Sequence, residues 1–437
     1  MPENNPRAAT VRRILDLVAP LTNYERTRVD PPRWSLDNIR AMLARPGATA
    51  LRAQVVQVGG SKGKGTTASY VAALGRAVGL RTGLYMSPHV EDVLERVQVD
   101  FAPAPELADA VADVVAFVRS AGLADASFFE VMTAAAVERF AREGVDLVVL
   151  EVGLGGRLDA TTAVPAHASI LTTIELEHTE VLGGTVTEIA GEKAWIVRAG
   201  RPAYTATTGD ALAVIEARAR AVGAPLSVRG REFRATLDGA VSDRLRGTLH
   251  LPHGALPFEL AGGAGFEVDA LALATACLAD LRPDLRNALA AALRPVARPP
   301  LPARFERVAA PFGTVIVDGA HTEHSLAAVA IEAARTAPNQ RWRVLFGAAL
   351  GKRWREGLSR LLPLVDSAVV ISLDGTASED PNKIAAWLRD HGVDADVASS
   401  AVEGVAALGT RPGPWLVVGS FYLAGRVRQI LRDGARG

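Results

Sequence analysis

Hydrophobic positions along this chain switch period repeatedly. Short apolar runs alternate with longer stretches in which apolar residues recur every three to four positions. Residues 54–58 (QVVQV) predict a strand, followed by a Gly-rich turn and a helix over 67–78 with Ala, Leu and Val on one face. Residues 81–86 read as a strand, and 107–120 and 132–143 as helices. The run 145–152 (VDLVVLEV) is almost continuously apolar, as in a strand buried on both faces. Residues 168–174 are a further strand candidate. This alternation predicts an α/β domain with a mostly parallel sheet.

The pattern changes over 225–262. Short alternating segments (FRATLDGA, GTLHLPHG, PFELAG) separated by turn residues predict a small antiparallel β insertion, with a helix over 269–281 after it. Residues 293–304 contain Pro295, Pro299, Pro300 and Pro302, which exclude regular helix or central strand. A domain boundary is expected there, giving domains 1–295 and 296–437. A second α/β pattern follows, with strands expected at 314–317, 343–346, 368–372 and 415–418.

A chain of 437 residues is too long for one ordinary core, which agrees with that division. Lys plus Arg equals Asp plus Glu at 48 each, so nothing electrostatic points to nucleic acid or an anionic membrane as partner. The single cysteine, Cys277, excludes an internal disulfide or a cysteine-based zinc site and fits a reducing compartment. The N-terminal stretch has no long apolar core, so no secretion signal is expected. No apolar run reaches the roughly 18 residues of a membrane span. A cytoplasmic location is therefore expected.

The turn after the first strand reads Gly59-Gly60-Ser61-Lys62-Gly63-Lys64-Gly65-Thr66-Thr67. A glycine-rich loop between strand and helix lets backbone N–H groups approach phosphate oxygens, and the helix N-terminus adds partial positive charge. Gly60, Ser61, Gly63, Lys64, Gly65 and Thr66 are the candidate phosphate-binding residues. Lys64 would reach the β- and γ-phosphates, and the Thr66 hydroxyl would face Mg²⁺. A glycine separates the lysine from the threonine, unlike the common phosphate-loop spacing.

That spacing resembles the Mur-type ligases, and further motifs narrow the resemblance to the folylpolyglutamate synthase/dihydrofolate synthase family. Met86-Ser87-Pro88-His89-Val90 is similar to the family's Thr-Ser-Pro-His-Leu, and Phe128-Phe129-Glu130-Val131 matches its Phe-Phe-Glu-Val. The run Glu-Val-Gly-Leu-Gly-Gly-Arg-Leu-Asp-Ala-Thr is intact from Glu151 to Thr161. Glu177-His178-Thr179-Glu180 resembles Asp-His-Thr-Glu, and Glu192-Lys193-Ala194 matches Glu-Lys-Ala. Asp318 to His321 gives Asp-Gly-Ala-His, and residues 419–423 resemble Gly-Ser-Leu-Tyr-Leu. Residues 21–26 resemble the family's lead-in. The short stretch before the phosphate loop fits the folate branch, because cell-wall Mur ligases carry a separate domain there.

The resemblance implies an N-terminal Mur-ligase-type ATPase domain and a C-terminal Rossmann-like domain that binds glutamate. The implied enzyme is a monomeric ATP-dependent amide ligase of folate biosynthesis and one-carbon metabolism. It adds L-glutamate to dihydropteroate or folate through an acyl phosphate, with two Mg²⁺ ions. It further implies Thr66, Ser87, Glu151, His178 and a carbamylated Lys193 as metal ligands, with Lys64, Lys193, His178 and His321 in catalysis. Taken alone, a histidine is an unusual Mg²⁺ ligand, and Lys193 could be a solvated helix residue. Asp269, Arg304 and Asp318 would contact the nucleotide. His321 and Ser420 would hold the incoming glutamate. Lys352 lies near the phosphates by resemblance, or is a surface charge; Glu130 starts a helix or supports the site.

Several positions depart from the family's pattern. The phosphate-loop asparagine is Lys62, which adds positive charge beside the phosphates. His-Gln-x-x-Asn reads Gly265-Phe266-Glu267-Val268-Asp269, and the asparagine after Asp-Gly-Ala-His is Thr322. Glu-Lys-Ala-Gly ends in Trp195. Residues 91–105 keep Glu95-Arg96-Val97 without the preceding asparagine. These changes motivate two alternatives: a Mur-type ligase joining a different carboxylate and amine, or a non-catalytic nucleotide-binding paralogue.

Overall fold

The computed structural model describes residues 6–24, 35–103, 106–241, 244–261, 263–297 and 299–434. Of the lead-in at 21–26, Glu25 and Arg26 lie outside the described residues, as does Arg298 in the proline-rich stretch. The chain forms two compact units, residues 1–263 with 267–300, and residues 264–266 with 301–437.

The first unit is built on an eight-stranded sheet. Its strands are β1 (Gln54–Gly59), β2 (Thr82–Tyr85), β3 (Val97–Val99), β4 (Ala102–Pro103), β5 (Leu147–Glu151), β6 (Ala168–Leu171), β7 (Ala203–Thr205) and β8 (Leu226–Val228), in the order β4-β3-β2-β5-β1-β6-β7-β8. All neighbours are parallel except β2/β3 and β3/β4. Val55, Val148 and Leu150 pack with helices Leu107–Ser120 and Phe128–Glu143. The alternate residues Val56, Val58 and Val149 are fully buried as well. Burial on both faces is what the unbroken apolar runs encode. Helices Lys64–Ala77 and Glu267–Leu281 pack against the sheet and against each other.

Local signals move several expected boundaries. The helix after β1 starts at Lys64 because Gly63, in the left-handed region at φ 82°, forms its N-cap. The helix expected at 132–143 starts at Phe128, four residues ahead of the periodic reading. Ser127 caps it, and Glu130 reaches back to the Ser127 N–H at 2.8 Å. Glu130 is thus a helix-start carboxylate. The β insertion is shorter than 225–262: Leu226–Val228 pairs in parallel with β7, so it belongs to the main sheet. Three residues are too few for a period to reveal which sheet they join. The insertion proper is β9 (Arg234–Val241), β10 (Arg244–Leu251) and β11 (Gly254–Ala261), all antiparallel.

The second unit holds six strands: β12 (Glu306–Ala310), β13 (Gly313–Val317), β14 (Trp342–Phe346), β15 (Val365–Val370), β16 (Asp394–Val397) and β17 (Trp415–Val418), in the order β12-β13-β17-β14-β15-β16. Only β12 runs antiparallel to its neighbour. The edge strands β12 and β16 escaped the sequence reading because half-polar strands at an edge lack a continuous apolar run. The core gathers Ile316, Val344, Phe346, Val370 and Val418 with Leu326, Trp354 and Leu358 from the helices.

Candidate active site

In the first unit, β1 lies between β5 and β6, and the loops leaving these strands and β2 emerge at one edge. The strand order reverses at β1, the position at which open α/β sheets bind ligands. Gly60 adopts φ 131°, and a Cβ there would lie 2.0 Å from Thr172 Oγ1, just past β6. Only glycine lets the loop come this close. Ser61 ties the same two loops together. Its N–H donates to the Thr173 carbonyl at 2.6 Å, and its hydroxyl accepts the Glu175 N–H at 3.0 Å.

The Lys64 ammonium folds back to the carbonyls of Gly60 and Ser61 at 3.1 and 3.3 Å. Thr66 is buried in the first turn of the helix. The Glu151 carboxylate, at the end of β5, accepts the Ser87 N–H at 3.0 Å. Its other oxygen would lie 3.4 Å from a Cβ on Gly65. Glu151 therefore stands between the Ser87 loop and the start of the phosphate-loop helix. These are hard oxygen donors of the kind Mg²⁺ selects. Among the described residues, no three His, Cys, Asp or Glu side chains form a cluster suited to a metal ion.

Lys193 is not a solvated helix residue. Its side chain is 2% exposed, and its ammonium donates to the Gly60 carbonyl at 3.0 Å and to Glu177 Oε1 at 3.2 Å. Helix Val186–Lys193 is held by the loop after β5, where Arg157 donates to both Glu192 oxygens at 3.0 and 3.1 Å. The ion pair is unequal. Burial pushes the Lys193 amine down to about 8, with Lys64 adding repulsion that Glu177 does not offset. Burial pushes Glu177 up, but the charges of Lys193, Lys64 and Lys62 outweigh it and hold the carboxyl at about 2. His178 has φ 49° ahead of helix Thr179–Leu182. Desolvation by its surroundings, with Lys193 and Lys64 working against Glu177, holds its imidazole below the usual range.

One organising residue was not singled out from the sequence. Buried Asp159 accepts the N–H groups of Gly153 and Leu154, both at 3.0 Å, and the N–H and hydroxyl of Thr161. Burial raises its pKa despite these bonds. Gln57 in β1 donates to the hydroxyls of Thr161 and Thr162 at 2.9 and 2.8 Å, locking the loop to the central strand. The Asp-Ala-Thr run carries a readable cap signal for this role.

Asp269 is placed differently. In the first turn of helix Glu267–Leu281, it pairs with Arg229 at 2.6 Å. Its neighbour Glu267 is fully buried and accepts the Tyr70 hydroxyl at 2.6 Å. Glu267 and Asp269 of the substituted motif thus make contacts within the first unit.

In the second unit, Asp318 follows β13 and is buried. It accepts the N–H of Phe305 at 2.6 Å and of Ala320 at 2.7 Å. Burial pushes its carboxyl up to about 6, against the nearby Arg304 charge and those two bonds. The Arg304 guanidinium stacks over the Phe421 ring at 4.2 Å. The His321 Nδ1 lies 2.9 Å from the Gly319 carbonyl, and its ring meets Phe421 edge-on at 6.0 Å. Ser420 follows β17, and its hydroxyl accepts the Tyr422 N–H at 3.1 Å. Arg304, Asp318, His321 and Ser420 are thus gathered around the ends of β13 and β17. Lys352 is exposed, just past the turn that follows β14. Thr322 caps helix Glu323–Thr336 through Ser325, so it does local structural work.

Residues 303–420 match the family model of the Mur ligase, glutamate ligase domain. The chain is 34% identical over 421 residues to the "Probable bifunctional folylpolyglutamate synthase/dihydropteroate synthase" of Haloferax volcanii. That match covers 93% of this chain, which spans about half (49%) of that relative's length. It is 30% identical to the dihydrofolate synthase/folylpolyglutamate synthase of Escherichia coli, over 91% of both chains. The structure superposes on Mycobacterium tuberculosis folylpolyglutamate synthase complexed with ADP and AMPPCP. The TM-score is 0.85 at 25% identity, over 97% of this chain and 99% of that one. With a relative at this identity matched over nearly its full length, the chain belongs to the folylpolyglutamate synthase/dihydrofolate synthase family of Mur-type ligases.

Proposed function

We propose that this protein is an ATP-dependent ligase that joins L-glutamate to dihydropteroate, to folate, or to both. The observation that carries the reading is the gathering of the phosphate loop, Ser87, Glu151 and Lys193 at one edge of the first sheet. In the proposed reaction the acid's carboxylate takes the γ-phosphoryl group of ATP, releasing ADP and leaving an acyl phosphate. The glutamate amine attacks its carbonyl carbon, phosphate leaves, and the amine's proton is lost. Such chemistry needs mainly positioning and charge neutralisation.

The loop N–H groups and Lys64 are assigned to the nucleotide phosphates, as the glycine-opened turn supports. Thr66, Ser87 and Glu151, with His178 and a carbamylated Lys193, are the residues we assign to Mg²⁺, two ions in all, which would neutralise charge on the phosphates. As an ammonium, Lys193 is a poor neighbour for a cation. Its amine, pushed down to about 8, is well placed to react with CO₂ and become an anion. In the second unit, His321 and Ser420 are assigned to the glutamate, Asp318 to the ribose, Arg304 to phosphate, and Lys352 near the phosphates. The reading includes a cytoplasmic monomer acting on small molecules, without nucleic acid or membrane. The formal charge is zero, and no described helix is long and apolar enough to cross a membrane.

The test is ADP and phosphate release from Mg-ATP and glutamate, run separately with dihydropteroate and tetrahydrofolate, with Lys64→Ala as control. Release that requires the pterin acid and vanishes in the control supports the assignment. Nucleotide binding without release with either acid would move it to a ligase for another carboxylate.

A further inference from the structure

Two positions at which this chain departs from the family's motifs meet in space. The motif asparagine of the phosphate loop is Lys62, and the aspartate before the motif histidine is Glu177. The Lys62 ammonium lies 3.4 Å from Glu177 Oε2, while Lys193 donates to Oε1 at 3.2 Å. Lys193 and Lys64 also share the Gly60 carbonyl, at 3.0 and 3.1 Å. Lys62 and Lys193 therefore share one carboxylate in the loop after β6, and Lys64 lies beside them on the loop assigned to phosphate. With Lys193 an ammonium the cluster carries excess positive charge and calls for a further anion; with Lys193 carbamylated, Lys62 is left as the cation on Glu177 and the same exchange holds.

The two contacts to Glu177 differ in kind. Lys193 is 2% exposed and anchored at a second oxygen, so it is the fixed partner. Lys62 is 35% exposed on a flexible stem, and its contact is the longer one. We propose that Glu177 is a placeholder for polyphosphate: it holds Lys62 in the nucleotide-free enzyme and yields it to the nucleotide's phosphate chain. A phosphate chain carries more charge and more acceptor oxygens than one carboxylate, so it wins the exposed ammonium. Lys62 then becomes an additional phosphate-binding residue, and Glu177 sets the cost of engaging it. This proposal rests on the nucleotide-binding reading above.

The experiment is calorimetric titration of the full chain with magnesium-free ADP, and with AMP as the probe lacking a β-phosphate. The proteins are the wild type, Lys62→Asn, Glu177→Gln and the double variant. Lys62→Asn should weaken ADP about tenfold and leave AMP nearly unchanged, whereas Glu177→Gln should tighten ADP about threefold or more. In the double variant that tightening should vanish, because no Lys62 is left to release. Unchanged ADP affinity in Lys62→Asn overturns the proposal, as does equal tightening with and without Lys62. Glu177→Asp, which restores the motif residue, should tighten ADP in the same direction, and it serves if the glutamine variant melts early. Turnover failing with both acids would sink the catalytic assignment but leave this coupling intact. Full ADP binding by Lys64→Ala would sink the phosphate seat itself.

Discussion

The Glu151 carboxylate accepts the backbone N–H of Ser87 at 3.0 Å, joining the end of β5 to the loop after β2. One buried acid thus braces two loops, and the proposed mechanism also uses its charge. The two roles separate by substitution. Glu151→Gln keeps an acceptor for the N–H but loses the charge, so turnover should fall by about two orders of magnitude with little change in melting temperature. Glu151→Ala also strands the N–H and should cost about 1–3 kcal/mol of stability besides. Steady-state ADP release and thermal melts of the two variants check this. Full activity in Glu151→Gln would remove the carboxylate's charge from the mechanism.

The phosphate loop tolerates no side chain at Gly60, where φ is 131° and Thr172 blocks the Cβ position. Gly60→Ala should lower stability by about 2–4 kcal/mol and abolish nucleotide binding. Gly191, inside helix Val186–Lys193, is the contrasting case: its Cβ position is open. Gly191→Ala should stabilise by about 0.5–1 kcal/mol. Urea unfolding of both variants gives the comparison, and equal effects would show that the loop adapts.

Asp318 links stability to pH. Its carboxyl is pushed up to about 6 from 3.8 by burial, so the folded chain holds this proton where the unfolded chain has lost it. The sign follows: the contribution is fully present below about pH 4 and is lost as pH rises through about 6. The loss amounts to roughly 3 kcal/mol. The difference in unfolding free energy between wild type and Asp318→Asn should therefore fall by about that amount between pH 4 and pH 7. A flat difference would mean that the carboxyl titrates normally.

Much of the candidate site was legible because its residues sit in contiguous runs. The phosphate loop and the run from Glu151 to Thr161 each place several candidate groups on one strand-to-loop transition. Both sheets were legible where strands are buried on both faces, as at β1 and β5. What failed to show was local or three-dimensional. Ser127-Phe128-Phe129-Glu130 is a readable capping box, yet periodicity alone started that helix later. The fate of Asp269 depends on Arg229, far away in sequence. Lys62 and Glu177 are likewise separated by the whole of the intervening chain. No pattern of period two or 3.6 encodes such a meeting.

The strand order has a consequence for how this protein is made. β1 is flanked by β5 and β6, so Ser61 gains its partners, Thr173 and Glu175, only after the chain beyond β6 has been synthesised. The phosphate loop leaves the ribosome before β6 but cannot take its shape alone. Long-range parallel pairing must come first, and such pairing is slow. A nucleotide that binds the finished loop stabilises the whole sheet by mass action. The ligand would thus act late, rewarding chains that have already closed β6 onto β1.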